Sequence, residues 1–222
     1  MTLGKIFSYP GNPRVMKIQA VANLSSVEIA TDPDFEMGVT NRTPEFLAKF
    51  PMGKAPTFEG ADGIRLFESD AIAQYVAESG SAKDRLLGVS VAERAKIRQW
   101  ISFAEGEVNA VVGPFAVWHM KLVTYDEKTL EGYWERLLRA LGAIEAHLTA
   151  GGKTWLTTEE RLNLADISLA AALYWGFALV LDPESRGKYP AVMAWYERTI
   201  ESEGVKEAFG EKMYVDKRPS FK

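Results

Sequence analysis

The sequence predicts two domains, an α/β domain followed by an all-α domain, and three observations lead to this prediction. Short apolar runs alternate with segments of helical periodicity over residues 1–80. After Val91, apolar residues recur only at helical spacing. Between these parts, residues 81–90 contain glycine and serine residues typical of a linker. We therefore expect an α/β domain at 1–80, a linker at 81–90 and an all-helical domain at 91–222.

The pattern of apolar and turn residues in the N-terminal part predicts the element order β-α-β-α-β-β-α. Its strand-like runs lie at residues 5–9, 27–30, 56–58 and 64–67. The last two runs flank the turn residues Gly60-Ala61-Asp62-Gly63, which predicts a hairpin. Helices are expected from Arg14, from Pro44, where Thr43 can cap the first turn, and directly after Ser69.

The C-terminal part shows several helical stripes. One stripe lies between Ile97 and Val111, and a second lies between Leu130 and Leu148. Residues 165–181 are apolar on nearly every side, which is typical of a helix enclosed by other helices. The most apolar run within it, residues 167–181, is shorter than the roughly 20 residues needed to span a bilayer. Pro190 is expected to begin a further helix.

The composition argues against several classes of function. A formal net charge of -4 provides no strong basic field, so neither nucleic acid nor membrane is an expected partner. The chain has no cysteine, which excludes disulfides, thiolate zinc sites and a cysteine nucleophile. His119 and His147 are isolated and give no reason to propose a metal site. The N-terminus lacks a signal-peptide pattern, and we expect a cytoplasmic protein.

Glu68 and Ser69 form a candidate ligand site at the start of the predicted third helix. A helix N-terminus offers free backbone N–H groups that suit a carboxylate, and Glu68 can accept hydrogen bonds from an ammonium group. The amino-acid end of a ligand presents both groups on one carbon. The simpler interpretation is that Ser69 is only a cap and Glu68 only a surface acid. The two residues alone favour that interpretation, because most caps bind nothing.

Pro56 lies between a loop and a predicted strand. A cis bond before Pro56 would turn the backbone of Ala55 outward, where it could pair with a peptide ligand as an added strand. The alternative is a trans proline at a strand start. Because only about 5% of X–Pro bonds are cis, the sequence alone favours the trans form.

Together these elements resemble the glutathione S-transferase superfamily, in which a thioredoxin-like N-terminal domain precedes an all-α domain. The resemblance rests on the element order, on the proline opening the third strand, and on Glu68-Ser69 at the third helix. It covers essentially the whole chain. Leu162-Asn163-Leu164-Ala165-Asp166-Ile167 matches a helix-start motif of this family, in which Asn163 would cap the helix and Asp166 would bond back.

Two strings resemble one branch more closely, the gamma subunit of translation elongation factor one-B. They are Thr-Asn-Arg-Thr-Pro-Glu-Phe-Leu-Ala-Lys-Phe-Pro at 40–51 and Phe-Glu-Ser-Asp-Ala-Ile-Ala at 67–73. The complete gamma subunit continues into a lysine-rich linker and another domain, whereas this sequence stops at Lys222.

The resemblance therefore leaves two functions open. The first is a transferase that conjugates the thiol of glutathione to electrophilic small molecules. The second is a docking module in translation elongation that binds the nucleotide-exchange subunit of the factor. The resemblance also implies a homodimer and glutathione as co-substrate.

The family's glutathione site can be carried over to individual positions. The resemblance implies that Glu68 and Ser69 bind the γ-glutamyl end and that the backbone of Ala55, before Pro56, pairs with the cysteinyl part. It places three further residues near the glycyl carboxylate, namely Asn41, Arg42 and Lys54. For each of these residues, a solvated surface position is the alternative.

The residue that activates the thiol is open. Transferases of this family favour the thiolate through a hydroxyl near the end of the first strand, and no serine falls in the usual place. Tyr9 could donate its hydroxyl or be a core aromatic residue. Asn12 could donate through its amide, and Arg14 could supply a cation or pair with a carboxylate. We expect weak or narrow conjugating activity.

Overall fold

The computed structural model describes residues 2–221, which divide into two compact units. The first unit contains the chain up to Leu87 together with Glu203–Phe209. The second contains Gly88–Ser202 and the residues from Gly210 onward. The boundaries of these units do not coincide with the predicted ranges, because a late segment of the chain belongs to the first unit. The domain ranges 1–80, 81–90 and 91–222 stay a prediction. No helix within residues 2–221 is long and apolar enough to cross a membrane.

The elements follow the predicted order. Up to Leu87 they are β1 (Gly4–Phe7), α1 (Pro13–Ser25), β2 (Ile29–Thr31), α2 (Pro44–Lys49), β3 (Thr57–Gly60), β4 (Arg65–Phe67), α3 (Ser69–Glu78) and α4 (Lys83–Leu87). The second unit continues with α5 (Val91–Phe103), α6 (Ala110–His119), α7 (Glu127–Thr149), α8 (Leu164–Leu179), α9 (Pro183–Gly187) and α10 (Pro190–Ile200). The last helix, α11 (Lys206–Phe209), belongs to the first unit.

The sheet of the first unit is mixed and has the strand order β2-β1-β3-β4. β1 runs parallel to β2 and antiparallel to β3, and β3 and β4 form the predicted hairpin. Gly4 in β1 lies opposite Gly60 in β3, and a Cβ atom at Gly4 would collide with the ring of Phe58. Glycine is therefore required where these two strands meet.

The two faces of this sheet bury different aromatic contacts. Phe58, fully buried in β3, lies 5.7 Å from the ring of Tyr75 in α3. Phe7, at the end of β1, contacts Phe46 in α2 and the following Phe50, with ring centroids 5.9 and 6.1 Å away. Since neighbouring strand residues point to opposite faces, α2 and α3 cover opposite sides of the sheet.

The helical unit is organised around the buried helix α8. Its predicted capping box is confirmed, because Asn163 accepts from the N–H of Ala165 while Asp166 accepts from the N–H of Asn163, both at 3.0 Å. Asp166 also accepts from Trp195 Nε1 and from the N–H of Leu156, each at 2.9 Å. Burial raises the pKa of the Asp166 carboxyl, and these hydrogen bonds oppose the shift.

The stripe between Ile97 and Val111 is not one regular helix. The π-helical segment Ala104–Asn109 separates α5 from α6. Asn109 there donates to both carboxylate oxygens of Glu105 at 2.9 Å. Apolar periodicity did not reveal this segment, because a single wider turn shifts the stripe by only one residue.

Candidate functional site

The loop after β1 is held in place by Asn12. The predicted strand ends at Phe7 rather than at Tyr9, because the chain turns there to enter α1. Asn12 is 1% exposed and caps α1, accepting from the N–H of Arg14 at 3.0 Å. Its Nδ2 donates to Ser8 Oγ at 3.0 Å. Asn12 therefore uses its amide oxygen and one N–H to brace this loop.

Tyr9 projects from the same loop and is half-buried. Burial raises the pKa of its phenol above the ordinary value of 10.0, and the charge of Arg14 partly opposes that shift. The hydroxyl consequently stays protonated at neutral pH and can donate a hydrogen bond. The three sequence candidates for thiol activation thus lie close together in one loop and the first turn of α1, and Arg14 is near enough to Tyr9 for its charge to act on the phenol.

A cavity of about 550 Å³ adjoins this loop. Its walls include Ser8, Tyr9 and Asn12, together with Met16 of α1 and Thr31 at the end of β2. Glu68, Ser69 and Ala55 are not among its lining residues. The structure therefore brings Tyr9 and Asn12 to one cavity, while the predicted ligands of the γ-glutamyl end lie outside it.

The peptide bond between Ala55 and Pro56 is cis. The trans form that the sequence alone favoured is therefore wrong. The base rate describes X–Pro bonds in general and carries no information about the chain around this proline. Pro56 is buried directly before β3, and the first residue of β3, Thr57, pairs with Phe7 of β1. Ala55 thus lies next to the end of the strand that leads into the Tyr9 loop.

Asn41 braces a second loop. It is buried, with its Oδ1 accepting from the N–H of Gly38 at 2.6 Å and its Nδ2 donating to the carbonyl of Gly53 at 2.5 Å. Arg42 and Lys54, on either side of these bonds, are exposed. Of the three residues predicted near the glycyl carboxylate, Asn41 therefore holds the loop through its buried amide. Arg42 and Lys54 are exposed cations that a ligand can reach.

Glu68 occupies the cap position of α3, and Ser69 is the first helical residue. Ser69 was predicted to be the cap, but the cap is the residue before it. Glu68 is the residue with non-helical backbone angles, and Ser69 already has helical geometry. Glu68 has φ 66° and ψ 114°, in a region that residues other than glycine rarely adopt, and its side chain makes no capping hydrogen bond. Ser69 is buried and Glu68 is exposed, so the acid faces solvent beside the first turn of α3.

A buried ion pair supports this helix start and was not found by sequence reasoning. The ammonium of Lys17 in α1 pairs with the carboxylate of Asp70, the residue after Ser69. The Lys17 side chain is only 4% exposed. A lysine within the apolar stripe of α1 is the signal that could have indicated a buried acidic partner.

Within residues 2–221, no group of three or more histidine or acidic side chains is arranged to hold a metal ion. The arrangement instead provides a hydroxyl with a nearby cation on one loop, an exposed acid at a helix start, and two exposed cations on a braced loop. Such a set can bind a small molecule that carries an ammonium group and carboxylates. It can also donate a hydrogen bond to a developing anion.

Comparison with known proteins gives findings for both parts of the chain. The model for the glutathione S-transferase N-terminal domain matches residues 3–78, and the model for the C-terminal domain matches residues 104–203. The glutathione S-transferase-like protein LUC7 of a Fusarium species is 47% identical over 213 residues, covering 96% of this chain and 95% of the relative. Elongation factor 1-gamma-A of Xenopus laevis is 35% identical over 227 residues, covering 100% of this chain and 50% of the relative.

Two solved structures have similar folds. The GST-like domain of elongation factor 1-gamma from Saccharomyces cerevisiae has a TM-score of 0.82 at 23% identity, covering 98% of both chains. The glutathione transferase URE2P6 from Phanerochaete chrysosporium, in complex with oxidized glutathione, has a TM-score of 0.82 at 21% identity. That similarity covers 94% of this chain and 95% of the other. Both confirm the predicted fold, a thioredoxin-like domain followed by an all-α domain.

Proposed function

The chain belongs to the glutathione S-transferase family, and from this premise we propose that it binds glutathione and conjugates its thiol to electrophilic small molecules. The Fusarium relative supports this choice, because it is named transferase-like and matches nearly the whole chain at 47% identity. Glutathione is then a co-substrate.

The observation that carries the proposal is the backbone of Glu68. A positive φ outside glycine costs on the order of 1–3 kcal/mol and tends to occur where function requires it. Here it presents an exposed carboxylate directly before the N-terminus of α3. The γ-glutamyl end of glutathione carries an ammonium for Glu68 and a carboxylate for the Ser69 end of the helix.

The rest of the tripeptide is assigned to the neighbouring loops. The backbone of Ala55, before Pro56, pairs with the cysteinyl part in the manner of an added strand. Lys54 and Arg42 attract the glycyl carboxylate, since both are exposed cations. Asn41 contributes indirectly, because its hydrogen bond to the carbonyl of Gly53 holds the loop that carries Lys54.

Thiol activation is assigned to Tyr9. Its protonated hydroxyl donates a hydrogen bond that favours the thiolate, and the positive charge of Arg14 favours the same anion. Asn12 positions Tyr9 by holding the loop and does not itself need to reach the sulfur. The thiolate then forms a bond to the electrophilic carbon, and the leaving group departs with the bonding electron pair.

Calorimetric titration with glutathione tests the binding part of the proposal. Glu68→Gln and Ser69→Ala should each weaken binding by a factor of about ten to a hundred, because a charged hydrogen bond contributes about 1.5–3 kcal/mol. Glu78→Gln, at the other end of α3, is the matched control and should leave the affinity unchanged. Absence of binding to the parent protein, or equal affinity in all variants, contradicts the proposal.

A docking role is the second candidate function. It is favoured by the 35% identity to elongation factor 1-gamma-A over this whole chain, which spans half the length of that relative. In that case the chain would bind the nucleotide-exchange subunit of the factor, and a pull-down with that subunit tests it. Homodimer formation stays a prediction, which sedimentation of the purified protein can check.

A further inference from the structure

One hydroxyl residue of this chain is followed by proline. Of the ten prolines in the sequence, only Pro44 comes directly after a serine or threonine, which is Thr43. A serine or threonine followed by proline is the sequence that proline-directed protein kinases recognise, and phosphorylation adds charge and acceptor oxygens at the hydroxyl. Thr43 therefore differs from all other hydroxyl residues of the chain in the property that such an enzyme reads.

Thr43 has a backbone conformation that suits an enzyme of this kind. Its φ of -69° and ψ of 148° are extended, as expected for the residue before a proline. Thr43 is half-buried, and its neighbours Arg42 and Pro44 are exposed. The dipeptide is therefore presented at the surface of the first unit in the extended form in which kinases bind their substrates.

The hydroxyl of Thr43 makes two local hydrogen bonds. It accepts from the N–H of Phe46 at 3.2 Å and donates to the carbonyl of Thr40 at 3.1 Å. Both partners lie three residues away along the chain, and α2 itself has only six residues. An opening confined to the turn at 40–43 therefore releases the hydroxyl while the sheet stays intact.

The fold around Thr43 can keep its place after phosphorylation. Phosphate oxygens are strong acceptors and can take over the bond from the N–H of Phe46. The ring of Phe46 is buried between Phe35 and Phe50, with ring centroids 5.9 and 5.1 Å away. Because this aromatic cluster anchors α2 independently of the Thr43 hydroxyl, we expect the modified chain to stay folded.

Two exposed cations lie beside Thr43. Arg42 directly precedes it, and Lys54 follows Gly53, whose carbonyl accepts from the buried amide of Asn41. That bond joins the loop carrying Arg42 to the loop carrying Lys54. Guanidinium and ammonium groups form charge-assisted hydrogen bonds with phosphate oxygens. A phosphate on Thr43 would thus compete for the two cations that the proposed function assigns to the glycyl carboxylate.

We propose that Thr43 is a phosphorylation site for a proline-directed protein kinase, and that its phosphate weakens glutathione binding by occupying Arg42 and Lys54. In the modification, the Thr43 hydroxyl oxygen forms a bond to the γ-phosphorus of ATP. The bond from that phosphorus to the bridging oxygen breaks, and ADP leaves with the bonding electron pair. The hydroxyl proton passes to a base of the kinase. The regulatory part rests on the proposed glutathione site, whereas the modification itself does not.

The modification is tested by incubating the purified chain with a mitogen-activated protein kinase, magnesium and ATP, and by locating phosphate with peptide mass spectrometry. The parent protein should gain one phosphoryl group, at Thr43. Thr43→Val should lose this uptake, and so should Pro44→Ala, which keeps the hydroxyl. Ser90 is an internal control, because it caps α5 by accepting from the N–H of Glu93 at 3.1 Å and is exposed, yet precedes Val91.

A parent protein that stays unmodified overturns the proposal. So does uptake at Thr43 that Pro44→Ala leaves at the parental rate, or a phosphate that appears on Ser90 instead. Circular dichroism verifies that each variant and the phosphorylated protein are folded. None of these measurements involves glutathione.

Calorimetry of the phosphorylated and unmodified parent protein tests the regulatory part. Phosphorylation should weaken glutathione binding on the order of tenfold at low salt, because the added negative charge repels the glycyl carboxylate. The difference should shrink at high salt, where charges are screened. Equal affinity of the two forms overturns the regulatory part. If neither form binds glutathione, the proposed function and the regulation fail together, while the phosphorylation result stands by itself.

Discussion

Lys17 in α1 and Asp70 in α3 form a buried ion pair that ties together the two helices on one face of the sheet. Asp70 follows Ser69 directly, so the pair also fixes the start of α3, where Glu68 is exposed. The ion pair therefore connects the stability of the first unit to the geometry of the proposed glutathione site.

Replacement of Lys17 by methionine should affect both properties. Removing Lys17 takes away the ammonium partner of the partly buried Asp70 carboxylate and should cost about 2 kcal/mol of unfolding free energy. Urea denaturation measures this loss, and glutathione titration should show weaker binding. The double variant Lys17→Met with Asp70→Leu should recover most of the stability, because both charged groups of the pair are then replaced by apolar side chains. A single variant with parental stability contradicts the prediction.

Glu68→Gly should raise stability while it weakens glutathione binding. Glycine adopts a positive φ without strain, so the free energy of unfolding should increase by about 1 kcal/mol. Glu68→Ala is the matched control, since it removes the same carboxylate and keeps the strained backbone. Thermal denaturation should separate the two variants, and calorimetry should show similar loss of glutathione affinity in both. If glycine is no more stable than alanine here, the strain does not exist.

Tyr9→Phe should lower the rate of conjugation to an aromatic halide and leave the unfolding free energy nearly unchanged. Because the pKa of Tyr9 is raised above 10.0, its hydroxyl stays protonated and keeps donating at all lower pH values. The rate of the parent protein should therefore rise with pH as the glutathione thiol ionises and show no decline from Tyr9 below about pH 10. Spectroscopic titration of the parent protein and of Tyr9→Phe identifies the ionisation of the Tyr9 phenol as the difference between the two curves. A parental rate in Tyr9→Phe would exclude the hydroxyl as the activating group.

Asn12→Ala should mainly affect stability. The variant loses the cap of α1 and the bond to Ser8, which together cost about 1–2 kcal/mol. Asn12→Asp keeps the capping oxygen and should recover the capping part of this loss.

Arg14→Ala should lower the rate of conjugation without loss of the cap, because Asn12 bonds to a backbone N–H at that position. Denaturation and initial rates, measured on the same samples, distinguish a residue that positions the loop from one that acts on the thiol.

Local patterns were sufficient for the element order, the hairpin and the Asn163–Asp166 capping box. Each of these depends on residues close in sequence. The Lys17–Asp70 pair, the bracing role of Asn41 and the cis bond before Pro56 depend on parts of the chain that meet only in the fold. Ser8 was overlooked for the same reason, since only its bond from Asn12 shows that it belongs to the loop. The candidate site at Glu68-Ser69 was predicted from its match to a family motif, although the positive φ of Glu68 has no sequence signature.

The position of α11 has a consequence for synthesis of the chain on the ribosome. Asn23 in α1 donates to the carbonyl of Gly204 at 2.9 Å, and Val205 and Phe209 are buried in the first unit. The N-terminal unit is therefore not complete when its sheet has emerged, and must wait for more than a hundred further residues. During that interval part of α1 lacks its final cover, which is when a chaperone can bind a nascent chain. A fragment ending near residue 80 would remain permanently in that unfinished condition.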